Sequence, residues 1–281
     1  MVEMNDGRRS AQTLVLEAGG LLFPVAISGF GIEHIVFAGA ADHGMYPWVL
    51  GSPAWNYLFG ALLIAVSVSI RIRKRAPLAA SVLGMTLCIY ALVLYVPPFR
   101  AHLHDPGPWA GILGLGSPLS GACELLAMSG VAWVWGKNRM ARPGRAGFGG
   151  SMVFFGLQHF YYSAFLATLI PSWIPCHLFW EYFVGAAFIA AAAAITVNKA
   201  ARLAALLLGT MFGLFVLLLH APGVVAEAGS RDQWTSALVA VAMCGGAFVL
   251  AEASRSSTEG RSPSSHLTGG ATREPVQERP A

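Results

Sequence analysis

Charge is what this chain has least of. Only 11% of its 281 residues are Asp, Glu, Lys or Arg, against about a quarter in a soluble globular protein. With 56% hydrophobic residues and a mean hydropathy of +0.60, a chain of this length cannot hide its apolar surface inside a water-soluble fold. Cysteine is scarce as well. Cys88, Cys123, Cys176 and Cys244 form no C-x-x-C pair, so the usual signature of a redox dithiol or cysteine zinc site is missing. Three of the four fall inside apolar runs, where cysteine packs as a small hydrophobe. No glycine-rich dinucleotide loop, Walker sequence or G-x-S-x-G turn occurs. Nucleotide binding and serine-hydrolase chemistry therefore have no sequence support.

What the chain does have is apolar length. Eight segments, at about 14–38, 54–70, 78–96, 119–135, 148–170, 178–197, 203–220 and 235–253, approach or exceed what is needed to cross a hydrocarbon core of about 30 Å. In lipid only helices and closed barrels satisfy their backbone hydrogen bonds. Runs this long and unbroken do not read as ten-residue alternating barrel strands. The reading is an all-α integral membrane protein with eight transmembrane helices, in contact with the lipid bilayer.

Basic residues orient it. Sixteen of the 18 Lys and Arg residues lie at the N-terminus, in the second loop, in the middle linker, in the sixth loop and in the tail; only Arg100 and Arg231 fall on the other side. By the positive-inside rule both termini are cytoplasmic. The net charge of +4 thus reflects topology. It is spread over short membrane-flanking loops and implies no nucleic-acid partner. Arg8 and Arg9 precede the first run, but that run is too long for a signal-peptide core, so no cleavage is expected.

The chain is also written twice. Shifted by 125 residues, His34 falls on His159, Trp48 on Trp173, Trp55 on Trp180, Gly60 on Gly185, Pro97 on Pro222 and Trp109 on Trp234. After Trp109 the shift becomes 115, with Leu126-Ala127-Met128-Ser129-Gly130 resembling Val241-Ala242-Met243-Cys244-Gly245. The first copy therefore carries about ten extra residues around 111–120. The period is that of a duplicated domain, longer than a solenoid repeat. An even number of helices per copy makes the copies two tandem parallel four-helix-bundle repeats, related by an axis along the membrane normal. The boundaries are 1–136 for the first module, 137–147 for a basic cytoplasmic linker, 148–253 for the second module and 254–281 for a polar cytoplasmic tail expected to be disordered.

Polar residues within the runs gather in one layer on the extracytoplasmic side. Glu33 and His34 lie near the outer end of the first run, and Gln158 and His159 at the same depth in the fifth. Asn56 and Glu181 open the second and sixth; Tyr95 and His220 close the third and seventh; Glu124 lies about one turn into the fourth. An ionisable residue in a membrane helix costs roughly 2.5–3.5 kcal/mol on insertion scales, so it faces a bundle interior or a wet cavity. The expectation is a polar cup in each half. The first holds Glu33, His34, Asn56, Tyr95 and Glu124; the second holds Gln158, His159, Glu181 and His220. A histidine beside a carboxylate holds or passes a proton, and such a cup suits the carbonyl oxygens of a quinone head group. Other readings stand beside this one. The outer tryptophans form an aromatic belt, and His34 and His159 hydrogen-bond one helix to the next. Glu124 has Val239 as its counterpart, so the shared fold does not require it. His102, His104 and Asp105 lie close in an outer loop without a second cluster at ligand spacing, and no metal site is expected.

Several stretches resemble DoxX-like membrane proteins. They are Gly156-Leu157-Gln158-His159-Phe160, Leu169-Ile170-Pro171-Ser172-Trp173-Ile174-Pro175 and His177-Leu178-Phe179-Trp180-Glu181-Tyr182-Phe183-Val184-Gly185. Ala201-Arg202-Leu203-Ala204-Ala205, Leu217-Leu218-Leu219-His220-Ala221-Pro222 and Trp234-Thr235-Ser236-Ala237 continue the likeness. It covers nearly all of the second repeat and, more loosely, the first. The resemblance implies a four-helix bundle per module, two of them fused here, in a bacterial-type inner (plasma) membrane. Some DoxX-like proteins are subunits of quinone-linked sulfur oxidation complexes and others accompany redox stress systems. A Glu before the Ala-Met-Ser-Gly stretch belongs to the resemblance; Glu124 matches it and Val239 departs from it.

The functional expectation is a quinone- or quinol-interacting redox-support subunit, with other membrane redox subunits as partners. The alternative is a non-enzymatic carrier or binding protein for a small apolar or weakly acidic molecule; a third is a structural assembly partner. The topology is directly testable. A fluorescent-protein fusion at the C-terminus should be bright and an alkaline phosphatase fusion there inactive, with the pattern reversed after Arg100; equal phosphatase activity at both sites would overturn the orientation.

Overall fold

The computed structural model describes residues 2–38, 53–72, 74–102, 114–115 and 117–259. Among them the chain is helical, without a strand. Its long helices are α1 (Val2–Val36), α2 (Pro53–Ile70), α3 (Ala76–His102), α4 (Pro118–Trp135), α5 (Ala141–Tyr161), α6 (His177–Val197), α7 (Ala201–Ala226) and α8 (Arg231–Glu259). Six of these are long and apolar enough to cross a membrane: α1, α2, α3, α6, α7 and α8. Large hydrophobic side chains such as Leu58, Leu78, Leu203, Leu207 and Leu217 are exposed on them. Hydrocarbon on the outside and helices within is the pattern of a protein solvated by lipid.

The two helices that fall short, α4 and α5, differ in composition for a packing reason. α4 carries Ser120, Gly121, Glu124, Ser129 and Gly130; α5 carries Gly144, Gly147, Gly149, Gly150 and Ser151. Small residues let helix backbones approach. A Cβ on Gly144 would stand 2.6 Å from the Gly130 carbonyl oxygen, so the two backbones cross in contact. Each helix packs on its neighbours in sequence, α8 closes the ring onto α1, and α4 touches α8 across the middle. Phe23, Phe148, Phe188, Val131, Met243 and Leu250 fill the centre, each less than 2% exposed.

Contacts recur at the spacing that the sequence suggested. A Cβ on Gly31 would lie 2.6 Å from the Gly60 carbonyl oxygen, and one on Gly156 2.8 Å from that of Gly185. Ser129 Oγ donates to the Gly84 carbonyl at 2.6 Å, and Cys244 Sγ to the Gly209 carbonyl at 3.2 Å. The Trp133 ring covers Gly84 as the Phe248 ring covers Gly209.

Boundaries differ from the sequence reading at several helix ends: α1 begins at Val2, ahead of the first apolar run, and α5 begins at Ala141, so the expected linker 137–147 is helical from there on. The fifth apolar run, read to residue 170, breaks after Tyr161; Ser163–Leu166 and Ala167–Leu169 form short turns beyond it. The seventh continues to Ala226 but opens into a π turn at Val216–His220. Pro222 has no N–H for the Leu218 carbonyl, and the ladder loosens beside it. The last helix runs on through Glu259, past the position where the tail was expected to begin; residues 260–281 lie outside the described part.

On the side of the basic loops, Arg145 donates to Asn198 Oδ1 at 3.1 Å and to Ser254 Oγ at 3.2 Å. One guanidinium thus joins the ends of α5, α6 and α8.

Gly156→Leu should lower stability by about 1–3 kcal/mol in thermal unfolding in detergent, because a side chain there forces α5 from α6. Gly150, whose Cβ would meet nothing within 4 Å, supplies the control: Gly150→Leu should unfold like the wild type.

Candidate functional site

The polar side chains of the outer layer divide by what they touch. Glu33 is 5% exposed. Its Oε1 accepts from Arg231 Nε at 3.0 Å and from Thr235 Oγ1 at 2.6 Å. It thereby ties α1 to the start of α8. Gln158 does the equivalent on α5: its Nε2 donates to the Gly114 carbonyl at 3.1 Å and to Ser120 Oγ at 3.4 Å, tying α5 to the start of α4. Thr235 and Ser120 are themselves 115 positions apart. Both bonds join one half of the chain to the other.

His34 is satisfied inside its own half. Its Nδ1–H donates to the Phe30 carbonyl at 2.9 Å, and the Tyr90 hydroxyl meets Nε2 at 3.4 Å. The Phe59 ring lies 5.2 Å from it. Tyr95 places its hydroxyl against Gly121. Asn56 is partly buried near the start of α2. Glu33, His34, Asn56 and Tyr95, which the sequence assigns to one cup, line neither of the two cavities described next.

The first of these is a chamber of about 390 Å³ between α4, α5, α6, α7 and α8. Glu124, Gln158, His159 and His220 line it together with Ser120 and Thr235. Glu124, expected with the first group, therefore stands with the second. The reason is packing: α4 closes against α5 and α8, so its carboxylate points into space bounded mostly by the second half. Among the described residues neither Glu124 nor His220 has a hydrogen-bonding partner. His220 sits in the π turn of α7, and such turns are frequent at functional sites. Phe155, Phe188, Phe212 and Phe215 supply aromatic walls.

His159 has a different environment from His34. Its Nδ1 lies 2.7 Å from Glu181 Oε2, and Glu181 is 5% exposed. The contact ties the ring to α6 and orients it. The first half has Asn56 where the second has Glu181.

The second cavity is a groove of about 820 Å³ between α6 and α7. Its walls are mostly Ala, Leu and Phe, and His159, Leu166, Phe215 and His220 border both it and the chamber. Trp180 stands at its outer end; Trp55, Trp173, Trp180 and Trp234 are all exposed. Trp48, Trp109, His104 and Asp105 lie outside the described residues. Among the described residues no group of three His, Cys, Asp or Glu side chains could hold a metal ion.

Compared with family models, curated proteins and solved structures, the chain has no match in any of the three.

Sequence reasoning missed the partners of Glu33 and the composite origin of the chamber. The 115-residue shift did carry a signal, since it sets Thr235 on Ser120. Replacing Glu33 by Gln should cost about 2 kcal/mol of stability, less than for a fully buried pair because Arg231 remains partly accessible. In thermal unfolding, the Glu33→Gln, Arg231→Gln double variant should lose less than the sum of the two singles; strict additivity would show that the pair is uncoupled.

Proposed function

We propose that the chain is an eight-span protein of a bacterial-type inner membrane, built from two fused DoxX-like four-helix modules with both termini cytoplasmic. Its role on this reading is that of a quinone- or quinol-interacting redox-support subunit. The module reading is supported by contacts that recur at shifts of 125 and 115 residues: the glycine crossings, the Ser129 and Cys244 bonds, and the paired Glu33 and Gln158 links. Alternation of basic and non-basic loops supports the orientation.

The functional reading rests on one observation. Glu124, Gln158, His159 and His220 border a single chamber that, among the described residues, no Lys or Arg lines. Without a cation there, a carboxylate or phosphate head would pay its full desolvation cost. A neutral head with carbonyl or hydroxyl oxygens fits: a protonated Glu124 or the Gln158 amide donates to a carbonyl, and His159 Nε2 accepts from a hydroxyl. Glu181 on the other ring nitrogen steadies the imidazolium that follows. Oxidation of a quinol releases two electrons and two protons, and quinone reduction is the reverse. The chamber residues take up or return the protons, and a partner redox subunit takes up or supplies the electrons.

A second reading, carriage of a small apolar molecule, is favoured by the hydrocarbon-lined groove beside the chamber. It differs in requiring flux across vesicles without a redox partner.

Binding decides between them. Purified protein in nanodiscs should perturb the absorbance spectrum of an added quinone, and Glu124→Gln or His159→Ala should weaken binding about tenfold or more. His34→Ala, outside the chamber, should bind as wild type does. Absence of quinone binding by the wild type removes the redox reading.

A further inference from the structure

The groove between α6 and α7 has more than twice the volume of the chamber, and a head group does not account for it. We infer that the site takes an uncharged, long-tailed, lipid-soluble molecule sideways from the bilayer. Its head occupies the chamber, its tail lies in the α6–α7 groove, and only the second half of the chain binds in this way. The inference rests on the chamber being a head-group site, as argued above, and adds the tail, the route and the number of sites.

Adjacency carries the first step. His159, Leu166, Phe215 and His220 border both spaces, so the two adjoin across a shared wall of side chains. Length carries the second. The groove follows α7 from Leu203 to Leu218, roughly 22 Å at 1.5 Å per residue, which is most of a hydrocarbon core of about 30 Å. A tail lying there runs along the membrane normal. Ala187, Ala190, Ala194 and Ala204 make the room by being small. Phe183 and Leu207 line the groove and are 52% and 63% exposed, so it is open to the lipid and entry needs no aqueous path. Charge carries the third step. Among the described residues no Lys or Arg lines either space, so no permanent positive charge awaits an anionic phospholipid or fatty acid, and the occupant is neutral.

The first half shows why one site is expected. Where Val184 and Phe215 line the groove, the positions 125 residues earlier are Phe59 and Tyr90. Those two rings stack with centroids 4.4 Å apart. Trp55 extends the stack at 6.3 Å from Phe59, and His34 packs on it. The chain's own aromatics occupy the space beside that histidine. At the site of Glu124 the second copy has Val239, and Glu33 is taken up by Arg231.

The test compares two quinones with the same head, one tail-less and one with a long isoprenoid tail, titrated into full-length protein in neutral-lipid nanodiscs. Ala190→Phe and Ala204→Phe fill the groove, and neither residue lines the chamber. The long-tailed quinone should bind wild type with one molecule per chain and at least tenfold more tightly than the tail-less one. Each variant should lose that preference while keeping wild-type affinity for the tail-less head, which also shows that it is folded. If both variants bind the long-tailed quinone as wild type does, or two molecules bind per chain, the tail groove is overturned and the head-group site stands. If the variants shed a co-purifying subunit without a change in quinone affinity, the groove seats a partner helix and the inference is overturned. If wild type binds neither quinone, the head-group reading itself fails, and this inference fails with it.

Discussion

A polar group in hydrocarbon has no water to turn to, so each must find a partner on a neighbouring helix or face a cavity. That constraint organises this protein. Glu33 finds Arg231 and Thr235; Gln158 finds Ser120 and the Gly114 carbonyl; Ser129 and Cys244 find glycine carbonyls. Each bond is also a register mark that sets the height of one helix against another. Glu124 and His220 break the pattern. They border a chamber without a hydrogen-bonding partner among the described residues.

The same packing rule and the same residue positions yield unlike surroundings in the two halves. At both helix crossings glycine meets glycine, because only a missing Cβ lets the carbonyl oxygens come so close. Around those crossings four exchanges decide the outcome. Phe59 gives way to Val184, Tyr90 to Phe215, Asn56 to Glu181, and Glu124 to Val239. Two large rings pack beside His34. A valine lines the groove where Phe59 stands in the first half, and a carboxylate pairs with His159. Divergence at a few positions thus gives the two histidines different neighbours, without disturbing the crossings on which both depend.

Much of this was legible in the chain. The apolar runs marked where most of the helices lie, because lipid exposure and length are local properties, while α1 and α5 begin in polar stretches ahead of their runs. α4 and α5 were harder, since their neighbours are largely protein and their glycines and serines lower the apolar signal that lipid would demand. The end of the fifth run was also misjudged: residues 162–170 are apolar but form only short turns. Of the candidate side chains, position along each helix was readable and azimuth was not. Glu33 and Gln158 were placed at equal height, and they make equivalent bonds; Glu124 was grouped by position in the chain and stands with residues of the other half.

The sequence alone determined that the chain is helical, apolar enough for lipid, and patterned at a repeat of 125 residues, because composition, run length and residue identity carry that information directly. Tertiary structure alone decided which polar groups answer one another. A helix shows its residues every 100° around an axis, but its rotation against its neighbours is set by backbone contacts far apart in the chain. The Gly31–Gly60, Gly156–Gly185 and Gly130–Gly144 approaches set those rotations, and with them the place where Glu124, His159 and His220 border one space.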